Sequence, residues 1–165
     1  MLRSLLVLCA SFAAASGIGG AQADVQVSTA HLNAPRPLND ETRSAAIRDY
    51  LEAWQGMSEA LAQNRTDLLD ADFVGGARDR LANTVQNQAA LGLSTRYQDR
   101  SHNIQVLFYS PEGLSIELAD TAEYEVQVFD HGKQLTSQTE TARYIVVLTP
   151  SEVRWRVRVF QAVPD

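Results

Sequence analysis

A chain of 165 residues with a net charge of −6 and a single cysteine fits one domain with a sizeable core. The acidic balance argues against nucleic acid and anionic membrane surfaces, both of which need a basic face. One cysteine excludes a disulfide framework and a cysteine metal set.

From the N-terminus, Arg3 supplies a positive start, "SLLVLCASFAAA" a short apolar run and "AQA" (Ala21 to Ala23) a small-x-small cleavage site. This pattern predicts a secretory signal peptide over residues 1–23, too short to span a bilayer, with Asp24 as the new N-terminus. Removing it takes away Cys9 and Arg3, leaving about 142 residues with a charge of −7 and no thiol. An exported chain that relies on its core alone suggests a bacterial periplasm or secretion, with no membrane span after signal removal.

Residues 24–39 lack a period and carry Pro35 and Pro37, so they read as an extended arm or linker. The domain proper is expected over residues 40–165. Asn39 or Asp40 can cap a long amphipathic helix in which Ile47, Tyr50, Leu51, Trp54, Met57 and Leu61 recur at spacings of three and four. Thr66 can cap a short second helix through Leu68, Leu69 and Phe73, ended by Gly75-Gly76. A third helix follows with Leu81, Val85 and Ala89 inward, and Gly92 as its C-terminal cap.

After Gly92 the period changes to two. "NIQVLFY" ends at the turn Ser110-Pro111-Glu112-Gly113, whose proline and glycine suit a type I turn. "LSIELADTAEYEVQVF" is a second long strand, ending at Asp130-His131-Gly132. "KQLTSQTETARYIVVL" is a third, turning near Pro150. "EVRWRVRVF" is the last, with Val153, Trp155, Val157 and Val159 inward and Arg154, Arg156 and Arg158 outward. The predicted fold is α+β: three N-terminal helices packed in the concavity of a curled, cone-shaped four-stranded antiparallel sheet.

The long helix containing "AIRDYLEAWQ", the short "TDLLDADFV" and a final strand "VRWRVRVF" with an inward tryptophan give a layout that resembles the nuclear transport factor 2-like (SnoaL-like, cystatin-like) superfamily. It is similar to small secreted bacterial members and to the intermembrane-space domain of chloroplast division proteins. The resemblance implies a cone that holds a small ligand, and a homodimer through the outer sheet face. It leaves the activity open, because the superfamily contains dehydratases, isomerases and cyclases as well as plain binding modules.

Asp120 breaks the apolar row of the second strand, where Leu114, Ile116, Leu118, Ala122, Tyr124, Val126 and Val128 share one face. Two readings follow. A β-bulge in "ADTA" would turn Asp120 to solvent, and this is the favoured reading. Alternatively, the carboxylate lines the cone and needs a donor such as Tyr50 or Tyr124.

Asp120, Tyr50 and Tyr124 are therefore the catalytic candidates of an isomerase, dehydratase or cyclase reading. Tyr50, Trp54, Tyr124, Tyr144 and Trp155 are the candidate ligand-pocket residues.

Asp67, Asp70 and Asp72 lack calcium-loop spacing. His31, His102 and His131 lie in the arm, near a strand start and in a turn, so they form no constellation, and the arm and turn histidines read as solvated. The arginine stripe reads as a solvated outer face. No cofactor and no metal are expected. The sequence points first to an exported, non-enzymatic binding or dimerisation module with an unknown protein or small apolar ligand as partner, and second to an acid–tyrosine enzyme.

Overall fold

In a computed structural model of the chain, described for residues 23–29 and 37–164, one five-stranded sheet wraps two α-helices. The sheet runs in the order β1 (Asp24–Thr29), β2 (Leu93–Tyr109), β3 (Ile116–Asp130), β4 (Lys133–Pro150) and β5 (Trp155–Val163). The helices are α1 (Asp40–Gln63) and α2 (Gly75–Ala90). The fold class is α+β, with three corrections to the expected layout. Residues 1–22, where the signal peptide is expected, and His31 and Pro35 of the arm, lie outside the described residues.

The first correction is to the arm. Its opening residues form β1, which pairs in parallel with β2 from Asp24 opposite Ser101 to Thr29 opposite Val106. Val25 and Val27 alternate with Asp24, Gln26 and Ser28, which is a strand period too short to stand out in sequence. Second, the expected middle helix is a single 3-10 turn over Thr66–Leu69, and Phe73 lies beyond it in a bridge to Val157. Third, Gly75-Gly76 opens α2 and does not merely stop a preceding helix; Gly75 sits at φ +54°, which a side chain would resist.

Other punctuation is as expected. Asn39 caps α1, its side chain accepting from the Thr42 N–H at 2.7 Å. Gly92, at φ +72°, follows α2 and donates to Ala89. Gly113 donates to Ser110 across the β2–β3 turn, and His131 and Gly132, both at positive φ, make the two-residue β3–β4 turn.

Helix α1 packs against both β2 and β5, which lie three places apart in the sheet order, so the sheet must curl around it. Bulges allow that curl. Arg100 and Leu107 are extra residues in β2, Leu135 in β4 and Arg158 in β5. The core lies in the concavity, where Trp54, Tyr50, Phe73, Ile104, Ile116, Leu118, Leu148 and Val157 are fully buried. Among the described residues no helix is long and apolar enough to cross a membrane.

The Arg158 bulge corrects the reading of the last strand. Val153 lies in the turn before β5, 86 % exposed. Val157 opposes Leu148 on the concave face, but Val159 opposes Val147 on the other, and Phe160 replaces it inward opposite Val146. Leu114, expected inward on β3, is likewise in the turn and exposed.

Two of the three stripe arginines are not free outer-face charges. Arg154 pairs with Asp72 and Glu52, and Arg156 reaches the backbone carbonyls of Asp70 and Phe73. They fasten the 70–73 segment against the edge of β5, where Val74 N–H and Val157 N–H bond across to Val157 O and Asp72 O.

Candidate functional site

The residues at the centre of the cone come from one helix face and four strands. On α1, Tyr50 and Trp54 stand one turn apart and point the same way. On β3, Asp120 opposes Ile104 of β2 and Tyr144 of β4 in unbroken register. The bulge expected in "ADTA" is absent, and Asp120 is 0 % exposed. The favoured sequence reading of Asp120 is thus overturned. The bends that a curled strand needs are carried by its neighbours, so β3 keeps its alternation and Asp120 stays on the concave face.

A buried carboxylate needs donors. The Tyr50 hydroxyl donates to Asp120 Oδ2 at 2.7 Å, and His102 Nδ1 bonds the same oxygen at 2.7 Å. A carboxylate only accepts, so Nδ1 carries the shared proton and Nε2 is the free ring nitrogen. Asp120 Oδ1 has no hydrogen-bond partner among the described residues. Burial, and next the Asp120 charge, push the Tyr50 hydroxyl well above the usual tyrosine range. Tyr50 therefore acts as a fixed donor that ties α1 to β3.

His102, which the sequence places near a strand start and in no constellation, is 2 % exposed. The Arg100 bulge explains both this and the role of Asp99. Asp99 opposes Tyr124, and His102 opposes Ala122, so both face the concavity although they are three residues apart. In a regular strand they would point to opposite faces. The signal was present in "RYQDRSHNIQV": Tyr97 and Asp99 keep one parity, while His102, Ile104 and Val106 keep the other. A change of parity within one strand marks a bulge. Asp99 Oδ1 accepts from the Trp54 indole N–H at 2.6 Å.

Trp54 is the hub of the remaining aromatics. Its ring meets those of Tyr97, His102, Tyr124, Tyr144 and Phe160 at centroid distances of 5.0–6.3 Å. The Tyr124 and Tyr144 hydroxyls bond each other at 2.9 Å, and Tyr144 stacks on Phe160. Burial raises the Tyr97 hydroxyl to about 12, and burial with the Tyr124 contact raises that of Tyr144 further. Four of the expected pocket residues, Tyr50, Trp54, Tyr124 and Tyr144, are brought together, packed on one another. Trp155 is not with them. It stands half-buried at the rim, its N–H donating to Asp49, where it lines a separate shallow groove.

Of the three catalytic candidates, Tyr50 and Asp120 touch, while Tyr124 bonds Tyr144 instead. Open space lies at the edge of this cluster. A cleft of about 110 Å³ is lined by Ala23, Val25, Leu51, Trp54, Gln55, Asp99 and His102. A larger, mostly apolar groove of about 510 Å³ runs between β1 and α1, with Val27, Ile47 and Leu51 on its walls and Arg43, Arg48 and Glu52 at its rim.

Asp67, Asp70 and Asp72 each pair with a different arginine, Arg65, Arg78 and Arg154. Among the described residues no group of three or more metal-ligating side chains converges.

No family model and no curated protein matches the chain in sequence. Solved structures do match in shape. The intermembrane-space region of the chloroplast protein ARC6 superposes with a TM-score of 0.66 at 14 % identity, covering 79 % of this chain and all of that one. A candidate scytalone dehydratase from Novosphingobium aromaticivorans superposes at 0.54 and 14 % identity, covering 76 % and 89 %. The protein Aln2 from a Streptomyces species superposes at 0.51 and 13 % identity, covering 78 % and 94 %. The chain has the nuclear transport factor 2-like fold. At these identities the likeness carries the architecture and no activity.

Proposed function

We propose that the chain is an exported, non-enzymatic binding and dimerisation module of the nuclear transport factor 2-like type. The observation that carries this reading is the filled cone. Trp54, 1 % exposed, occupies the centre among five other rings, where an enzyme of this shape would hold its substrate. The polar cluster is then structural: Asp120 joins α1, β2 and β3 through Tyr50 and His102. Binding falls to the outside. A small apolar ligand suits the β1–α1 groove better than the ring cluster, and a second copy suits the outer sheet face. There Ala119 opposes Ile145, and Val147 opposes Val159, forming an apolar strip across β3, β4 and β5.

Sedimentation of the wild-type protein and of Ile145→Glu tests the dimer. A dimer at tens of micromolar that becomes a monomer in the variant is expected. A wild-type monomer sinks the dimerisation half of the proposal. For the other half, a crystal structure with a small molecule seated between Tyr50 and Tyr124 would overturn the filled cone.

One observation favours a second reading. His102 is oriented by Asp120 and lines the open cleft, which is the arrangement of a general base with its positioning carboxylate. The acid–tyrosine enzyme then becomes an acid–histidine enzyme acting on a small substrate at the cleft mouth. Turnover of any candidate substrate that is lost in His102→Gln, with the melting temperature unchanged, would move the reading to this side.

A further inference from the structure

The cleft beside His102 contains an unmatched charge. Asp99 is half-buried there, and among the described residues its only bonded donor is the neutral Trp54 indole. The cation next to it, Arg100, is engaged elsewhere, with Glu123 and Glu125. With Nδ1 donating to Asp120, His102 offers a second acceptor, Nε2, to the same space. Two acceptors, one of them an uncompensated carboxylate, in a cleft of about 110 Å³ suit a small cation with several N–H donors. An ammonium group meets that description.

The chain can supply one itself. Ala23 lines this cleft, and the register sets Asp24 opposite Ser101, two residues past Asp99. Ala23 is also the last residue of the small-x-small cleavage site. Cutting there removes the Ala23 methyl group from the cleft wall. It also converts the Asp24 amide into a free α-ammonium at the cleft mouth.

We propose that the Asp99 cleft is a binding site for the α-ammonium group of the processed chain, so that removal of the leader locks β1 onto β2. The hydrolysis is balanced: water adds across the Ala23–Asp24 peptide bond, giving the Ala23 carboxylate on the released leader and the protonated amine on Asp24. The uncut chain presents a neutral amide at this point. This inference rests on the export part of the proposed function.

The test separates the two. The intact mass of the protein recovered from the periplasm reports whether cleavage follows Ala23. Independently, two recombinant chains beginning at Asp24 are compared, one with a free amine and one N-acetylated; both retain every described element. The free-amine chain is expected to melt about 3 °C higher, for a pair worth about 1 kcal/mol.

In an Asp99→Asn background the gap should fall below about 1 °C, on the same scale. The Trp54 indole N–H resonance should shift on acetylation, because its acceptor is Asp99. An equal gap in Asp99→Asn, or no gap in the wild-type chain, overturns the ammonium site whatever the mass shows. A leader cut elsewhere overturns the processing link and leaves the result on the recombinant chains to judge the site alone.

Discussion

Helix α1 carries two pairs of apolar side chains, each pair one turn apart, and they meet different fates. Tyr50 and Trp54 are sealed, each 1 % exposed. Ile47 and Leu51 border a groove of about 510 Å³ that remains open. Both pairs sit on one amphipathic stripe, so the helix does not decide between them. The strands do. Tyr50 and Trp54 face strands β2 to β5, which bring Tyr97, Tyr124, Tyr144 and Phe160 over them. Ile47 and Leu51 face β1, a strand of six residues, of which Val25 and Val27 line the open space. Closure of a cone depends on how much strand arrives over each part of the helix, and here it arrives in excess at one side and runs short at the other.

The largest effect should come from the sealed pair. Trp54→Ala opens a cavity in the middle of five rings and is expected to cost about 3–5 kcal/mol. Thermal unfolding would measure it. An apolar dye bound by this variant and not by the wild type would show that the tryptophan alone closes the cone. A cost under about 1 kcal/mol would mean that the rings are loosely packed and the contrast between the two pairs is overdrawn.

Asp120→Leu strands the Tyr50 hydroxyl and the His102 N–H without an acceptor and should cost about 3 kcal/mol. Asp120→Asn keeps an acceptor for one of them and should cost less. Equal costs in denaturant unfolding would remove the hydrogen bonds from the account and leave only volume.

Alkaline pH probes the same region. Tyr50, Tyr97 and Tyr144 all have hydroxyl pKa values raised by burial, Tyr97 to about 12. A raised value means that the fold holds the proton more tightly than the unfolded chain. Stability is therefore intact below about pH 10, where the unfolded tyrosines begin to ionise, and falls as the pH climbs toward the folded values. Absorbance at alkaline pH should show these three ionising together with unfolding. Smooth, separate titrations in a folded protein would contradict their burial.

The smallest effect belongs to the open side. Val27 is 45 % exposed, and Val27→Thr should change stability by less than about 0.5 kcal/mol. A larger loss in thermal unfolding would mean that the groove is covered in solution, by a ligand or a second copy.

The sequence alone determined what is local. The 3.6-residue stripe of α1, its asparagine cap, the glycine after α2 and the turns at Ser110–Gly113 and His131–Gly132 follow from side-chain period and backbone freedom, which neighbours in the chain specify. The α+β class follows from the change of period after Gly92. Tertiary structure decided what depends on register. An extra residue at Arg100 put Asp99 and His102 on one face, another at Arg158 exchanged Val159 for Phe160, and an uninterrupted β3 left Asp120 inside. Side chains alternate every residue along a strand, so a single insertion reverses every assignment beyond it. The place of that insertion is chosen by the curl needed to wrap α1, which is a property of the whole sheet.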